Sequence, residues 1–221
     1  ADTLSVDTYN GKMDYVLGNP PYVRVHNLGT SFDQIKKFSF AQNGMTDLYI
    51  VFYEIGLKML NENGVLGYIT PSSFFNSLAG KYMRLHLVQN NLIDRIVDLK
   101  HFQAFTATTY TTITILKNKR KQKSTEYYQF EDRNNFPYYV DTLNVEDYYI
   151  CDNFYFANKS KLNELKRILT FSTAKEYFAV KNGFATLADG FFIGNFDFDE
   201  FTIPVVKAST GKQYQCIFPY S

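Results

Sequence analysis

Apolar positions recur along this chain in two rhythms, one helical and one alternating. Leu48, Val51, Phe52, Ile55 and Met59 stand three and four residues apart. That spacing predicts a helix from an N-cap at Thr46 or Asp47 to about Asn61, with the stripe turned inward. Asn63-Gly64 predicts its end, and Val65 to Ile69 reads as a short buried strand closed by Thr70-Pro71. Lys81 to Asn90 reads as a helix with Tyr82, Leu85 and Val88 inward, and Leu92 to Leu99 as a strand. Tyr110 to Leu116 alternates Thr and Ile with a period of two, which predicts another strand, and Thr125 to Phe130 one more. Asn134 to Asn158 is irregular and rich in Tyr and Asp, as a connector would be. Lys161 to Leu169 predicts a helix with Leu162, Leu165, Ile168 and Leu169 inward. From about Ala174 the rhythm becomes short apolar runs between glycine turns, through Phe178–Thr186, Phe191–Ile193 and Pro204–Lys212.

One stretch departs from both rhythms. Asp14-Tyr15-Val16-Leu17-Gly18 reads as an apolar strand, and Asn19-Pro20-Pro21-Tyr22 follows without a break. Each proline fixes its φ and lacks an N–H, so helix and ladder both stop there. In open α/β sheets ligands bind at the carboxyl ends of strands, which is where the Asn19 amide and the Tyr22 ring would project. Asn19 and the Pro20 carbonyl offer two acceptors, and Tyr22 a flat face for a planar ring. Together they suit an exocyclic amino group on a planar substrate. A Pro-Pro turn that merely closes a strand, with Tyr22 as a surface aromatic, is the other reading of the same residues.

Composition narrows the setting. A chain of 221 residues can hold one sizeable core, or one domain and part of another. Aromatics reach 18%, with no Trp, which suits ring stacking although most of them must fill core. The net charge of +1 advertises no nucleic acid, so any such binding needs a local patch. Cys151 and Cys216 lie far apart without metal-type spacing and read as free thiols of a reducing cytosol; no metal site is expected. No apolar run approaches membrane-spanning length and no signal peptide is evident, so no membrane partner is expected. The chain opens on Ala1 and stops after Tyr220-Ser221, and both ends read as cut from something longer.

Asn19-Pro20-Pro21-Tyr22 resembles the catalytic motif of S-adenosylmethionine-dependent amino methyltransferases. The downstream chain is similar to the gamma-class adenine-N6 DNA methyltransferases of type II restriction–modification enzymes, including those with methylase and nuclease fused. The resemblance implies an α/β fold: the C-terminal part of a Rossmann-like methyltransferase sheet, then the start of a β-rich recognition domain. It divides the chain into catalytic domain (1–124), strand, connector and helix (125–173), and the opening of a target-recognition domain (174–221). It also implies direct methyl transfer from S-adenosyl-L-methionine to an adenine flipped out of double-stranded DNA, in a bacterial or archaeal cytoplasm.

By the same resemblance Asn19, Pro20, Pro21 and Tyr22 are catalytic, and Asp2 and Asn19 hold the cofactor. Tyr22 and Phe105 stack on the two faces of the base, with Phe102 a rival for Phe105. Arg24, Lys81, Arg84, Lys119 and Arg120 are candidates for the DNA backbone, although solvated loops and helix faces would explain them too. No Gly-x-Gly segment follows a strand, so the methionine end of the cofactor site is missing and this chain alone is expected to be inactive. A sheet without its first strands would expose an edge to which a second copy could pair. No Pro-Asp followed by a metal-spaced Glu-x-Lys occurs, so no nuclease is expected within the chain. Two other functions fit the residues: a protein-glutamine methyltransferase, since the same motif serves amide nitrogens, and a non-catalytic DNA-binding or specificity module.

Overall fold

The alternating runs lie side by side in one sheet, with the helical runs against one of its faces. The structure is a computed structural model that describes residues 7–24, 35–43, 45–100, 102, 110–120, 122–130, 136–177, 193–194, 202–207 and 212–217. It divides into two units, residues 1–171 and 172–221. The first holds β1 (Met13–Gly18), α1 (Leu48–Met59), β2 (Leu60–Pro71), α2 (Lys81–Gln89), β3 (Ile93–Asp98), β4 (Thr111–Lys117) and β5 (Thr125–Phe130). It continues with β6 (Pro137–Leu143), α3 (Val145–Tyr148), β7 (Tyr149–Ile150), β8 (Asn153–Phe154) and α4 (Lys159–Ile168). Six strands form the sheet in the order β1-β2-β4-β3-β5-β6. The β1–β2 and β3–β5 pairs are parallel and the others antiparallel. The expected α/β class is therefore what the chain adopts. No helix among the described residues is long and apolar enough to cross a membrane.

Burial along β2 alternates strictly from Gly64 to Thr70, with Leu66 and Tyr68 buried and Val65, Gly67 and Ile69 only half-buried. The buried set faces α1, because a Cβ on Gly56 of that helix would meet Leu66 and the Tyr68 hydroxyl at 2.5 Å. Only glycine lets the helix come this close to the sheet. Gly67 points the other way, toward Leu17 and Ile115.

α1 corrects the expected stripe. Tyr49, Ile50, Tyr53 and Gly56 face the main core. Leu48, Val51 and Ile55 instead pack with Ile35, Phe38 and Ala41 in a second, smaller cluster. The helix is covered on both sides, so one periodic stripe described only half of its buried surface. Glu54, also buried, accepts from Ser39 Oγ and the Phe40 N–H at 2.9 Å and from Lys58 Nζ at 2.7 Å, which fastens the Ser39–Ala41 turn to α1.

Three further expectations change. Asn63-Gly64 does not end the helix, which stops at Met59; it lies in a bulge of β2, where Met13 pairs with Leu60 and Tyr15 with Val65. On α2 the buried residues are Met83, Arg84 and Leu87, while Tyr82 is exposed. On α4 only Leu162 is buried, and Ile168 and Leu169 are exposed.

The irregular connector is also ordered. β6 is the outer strand of the sheet, and its exposed first residues carry no hydrophobic alternation for a sequence reading to detect. Asn144 and Asp147 form a capping box that starts α3. Cys151 and Asp152, both at positive φ, turn the β7–β8 hairpin.

The second unit has a short helix, α5 (Ala174–Tyr177), and strands β9 (Ile193–Gly194), β10 (Thr202–Lys207) and β11 (Lys212–Ile217). The strands form an antiparallel sheet in the order β10-β11-β9. Phe178–Phe192 lies outside the described residues.

Candidate active site

β1 ends at Gly18, and the chain leaves the sheet through Asn19 and the two prolines. Asn19 and Pro21 are exposed, Pro20 is buried and Tyr22 is half-buried. Among the described residues nothing donates to the Asn19 side chain or the Pro20 carbonyl. Tyr22 is fixed by its surroundings. Its hydroxyl donates to the Ile69 carbonyl near the end of β2 at 3.3 Å. Its ring meets Tyr49 edge to face, with centroids 6.4 Å apart and planes at 79°. Burial raises the Tyr22 pKa, which keeps the phenol neutral and able to donate.

The segment beyond the motif is tied to the start of α1. The Leu48 N–H donates to the Val23 carbonyl at 2.8 Å, and the backbones of Arg24 and Asp47 form an isolated antiparallel bridge. Partial burial raises the Asp47 carboxyl pKa, and the Arg24 charge opposes that shift. Tyr49, in the first turn of α1, shares a 3.0 Å hydrogen bond with Ser73 Oγ just past β2. Tyr53, one turn on, does the same with Thr70 Oγ1 at 3.0 Å. Burial pushes both phenols well above their ordinary range, and Tyr68 to about 12. The parallel pair β1–β2 thus brings the motif and the Ile69–Ser73 segment to the same end of the sheet, with Tyr49 between them. The Ser72-Ser73 turn carried no separate signal in the sequence. Only the pairing of β1 with β2 shows that it lies at the same end of the sheet as the motif.

The remaining expected residues divide. Asp2 and Phe105 lie outside the described residues. Phe102 packs its ring on Phe130, with centroids 4.5 Å apart. Arg24 is exposed, and Lys81 and Lys119 are largely exposed in ion pairs with Asp152 at 3.4 Å and Glu62 at 2.5 Å. Such pairs are worth little and open readily to another anion.

Arg84 and Arg120 are corrected. Arg84 is 3% exposed, and its guanidinium donates to the carbonyls of Phe74 (2.7 Å), Ser77 (2.8 Å) and Asp152 (2.7 Å). The buried Arg120 side chain donates to the Ile93 and Ser124 carbonyls and sits 3.4 Å from Asp94, joining the starts of β3 and β5. Both charges serve backbone carbonyls of this chain rather than phosphates. No cluster of three or more His, Cys, Asp or Glu that could hold a metal ion occurs among the described residues.

Residues 2–105 match the Eco57I restriction-modification methylase family. The chain is 27% identical over 207 residues to the type II restriction enzyme and methyltransferase RM.Eco57I of Escherichia coli, which covers 85% of this chain and 20% of that protein. It is 35% identical over 118 residues to the type II methyltransferase M.BstVI of Geobacillus stearothermophilus, covering 51% of this chain and 21% of the relative. The type I restriction-modification methyltransferase subunit from Streptococcus thermophilus superposes with a TM-score of 0.48 at 20% identity, over 77% of this chain and 35% of that one. The chain spans about a fifth of the length of the curated relatives it matches. The Asn-Pro-Pro-Tyr turn lies inside the stretch, residues 2–105, that matches this methylase family.

Proposed function

We propose that this chain carries the target-amine half of a site-specific DNA adenine-N6 methyltransferase of a type II restriction–modification enzyme. The supporting observation is the pair of acceptors with no donor among the described residues, Asn19 and the Pro20 carbonyl, beside a Tyr22 ring held by Ile69 and Tyr49. An adenine amino nitrogen is a poor nucleophile because its lone pair is delocalised into the ring. Two acceptors on its two hydrogens turn that lone pair toward the methyl donor and stabilise the positive charge that develops on nitrogen. No general base is required for this step, since the product proton is acidic enough to leave to water.

The target base is rotated out of the duplex at a cost of a few kcal/mol. Stacking on Tyr22, and on Phe105 opposite, offsets part of this, since base–aromatic stacking is worth about 1–3 kcal/mol per base. Arg24, Lys81 and Lys119 remain as backbone contacts, and residues 174–221 open the target-recognition domain. S-adenosylmethionine, when bound, supplies the electrophilic methyl group. Asn19, at the end of the outermost described strand, and Asp2 are the residues of this chain that would hold it. With no Gly-x-Gly turn for the methionine end, the 221-residue chain alone does not transfer methyl groups. The enzyme works in a bacterial or archaeal cytoplasm.

In the complete polypeptide, Asn19→Ala lowers kcat for methyl transfer to DNA by about 10²–10³-fold, by analogy with loss of one preorganised transition-state contact, while leaving DNA affinity within about twofold. Transfer of labelled methyl groups at near-normal rate by N19A rules the assignment out. Labelling of a release-factor-type protein instead of DNA transfers the same site to the glutamine reading.

A further inference from the structure

An open cleft of about 430 Å³ is lined in part by Ser73, whose hydroxyl shares a hydrogen bond with Tyr49. Its size falls within the range of small-molecule sites. The Phe75 and Phe154 rings, 6.3 Å apart, form its apolar part. Around them stand Ser72, Ser73, Asn76 and two exposed tyrosines, Tyr110 and Tyr155. The Asn76 carboxamide has no partner among the described residues. None of the described lining residues carries a charge, which argues against phosphate or carboxylate. Aromatic rings with neutral hydroxyl and carboxamide groups suit a neutral, planar heterocycle bearing donors and acceptors on its edge.

The walls are fixed rather than fortuitous. Ser72 donates its N–H (2.9 Å) and Oγ (3.3 Å) to the Tyr110 carbonyl, tying the turn after β2 to the start of β4. Buried Arg84 joins that turn, through Phe74 and Ser77, to Asp152 of the β7–β8 hairpin. This gives Arg84 a use that its burial alone does not explain: it positions the two sides of the cleft.

We propose that this cleft is a second nucleobase subsite, which takes a neighbouring base of the same DNA whose adenine enters the Asn19–Tyr22 site. The inference rests on the DNA-methylation reading and adds a second point at which the strand is gripped.

A random-sequence duplex library with 5-iodouracil in place of thymine tests it, with the complete polypeptide and ultraviolet irradiation. Peptide mapping is expected to find adducts on Tyr110 or Tyr155. Asn76→Ala and Tyr155→Ala are expected to cut adduct yield and to raise KM for DNA about tenfold, with kcat unchanged, in line with the loss of one base contact. N76A removes an exposed side chain that has no partner among the described residues, so an unchanged melting temperature separates lost binding from lost folding. Adducts confined to other parts of the chain, or an unchanged KM in both variants, overturn the subsite while DNA methylation by the unmodified protein stands. If the unmodified protein transfers no methyl group to the library, the DNA reading falls and takes the subsite with it.

Discussion

The two faces of the central sheet are built from alternate residues of the same strands, yet they meet different surroundings. On the helix side, Leu66, Ile96 and Leu116 are completely buried, and the hydroxyls of Tyr49 and Tyr53 find partners in Ser73 and Thr70. On the opposite side Tyr15 and Leu17 of β1 are 71% and 74% exposed, and Val65, Ile69, Ile113 and Ile115 are half-buried. Farther across, that face turns polar: Arg95 pairs with Glu126 at 2.6 Å and lies over the Tyr128 ring. The helix side holds the fold together and carries the site at its edge. The other side keeps apolar surface near β1 exposed, and it borders the edge of β1 that pairs with no strand among the described residues.

The largest effect that would break this contrast is on stability. Leu66→Ala is expected to cost about 3 kcal/mol, as a large-to-small change at a closed site, and Leu17→Ala less than about 0.5 kcal/mol. Denaturant unfolding of the two variants checks this, and equal losses would mean that both faces are closed in solution.

Next, Arg84→Leu removes three charge-assisted bonds to carbonyls and is expected to cost roughly 2–3 kcal/mol. Lys81→Ala, one turn earlier and with only an exposed ion pair, costs at most about 0.5 kcal/mol. Thermal melts of the pair separate a frame residue from a solvated one.

The tyrosines of the helix side sharpen the comparison by pH. Their folded-state pKa values lie above the ordinary value of 10, with Tyr68 at about 12, so the folded chain holds more protons than the unfolded one above pH 10. Stability is then full below about pH 10 and falls as pH rises toward 12. Tyr68→Phe removes one such group and flattens the fall, which alkaline titration followed by circular dichroism would show.

The smallest effect concerns the edge. We propose that a second copy pairs along β1, and Leu17→Lys on that strand shifts sedimentation to the monomer. A wild-type chain that is already monomeric at high concentration removes the proposal.

Much of the sheet was legible because its signal is local. The Thr–Ile alternation of β4 and the apolar run of β2 each record a strand with one closed face. The Asn-Pro-Pro-Tyr turn was legible for a different reason: two prolines after a strand leave the backbone few conformations. β6 was missed because an outer strand need not alternate, and α1 was half-read because two clusters claim its two sides.

By itself the sequence showed most of the strands and helices between residues 13 and 130 and the Asn-Pro-Pro-Tyr turn, since periodicity and proline act over a few residues. Only the tertiary structure decided which charges are free. Arg84 and Lys81 stand three residues apart on one helix, and nothing in their spacing tells a buried guanidinium on three carbonyls from an exposed ammonium on Asp152. It was likewise the parallel pairing of β1 with β2 that set Tyr22, Tyr49 and Ser73 in line, because contacts 24 to 47 residues apart in sequence leave no mark on the local pattern.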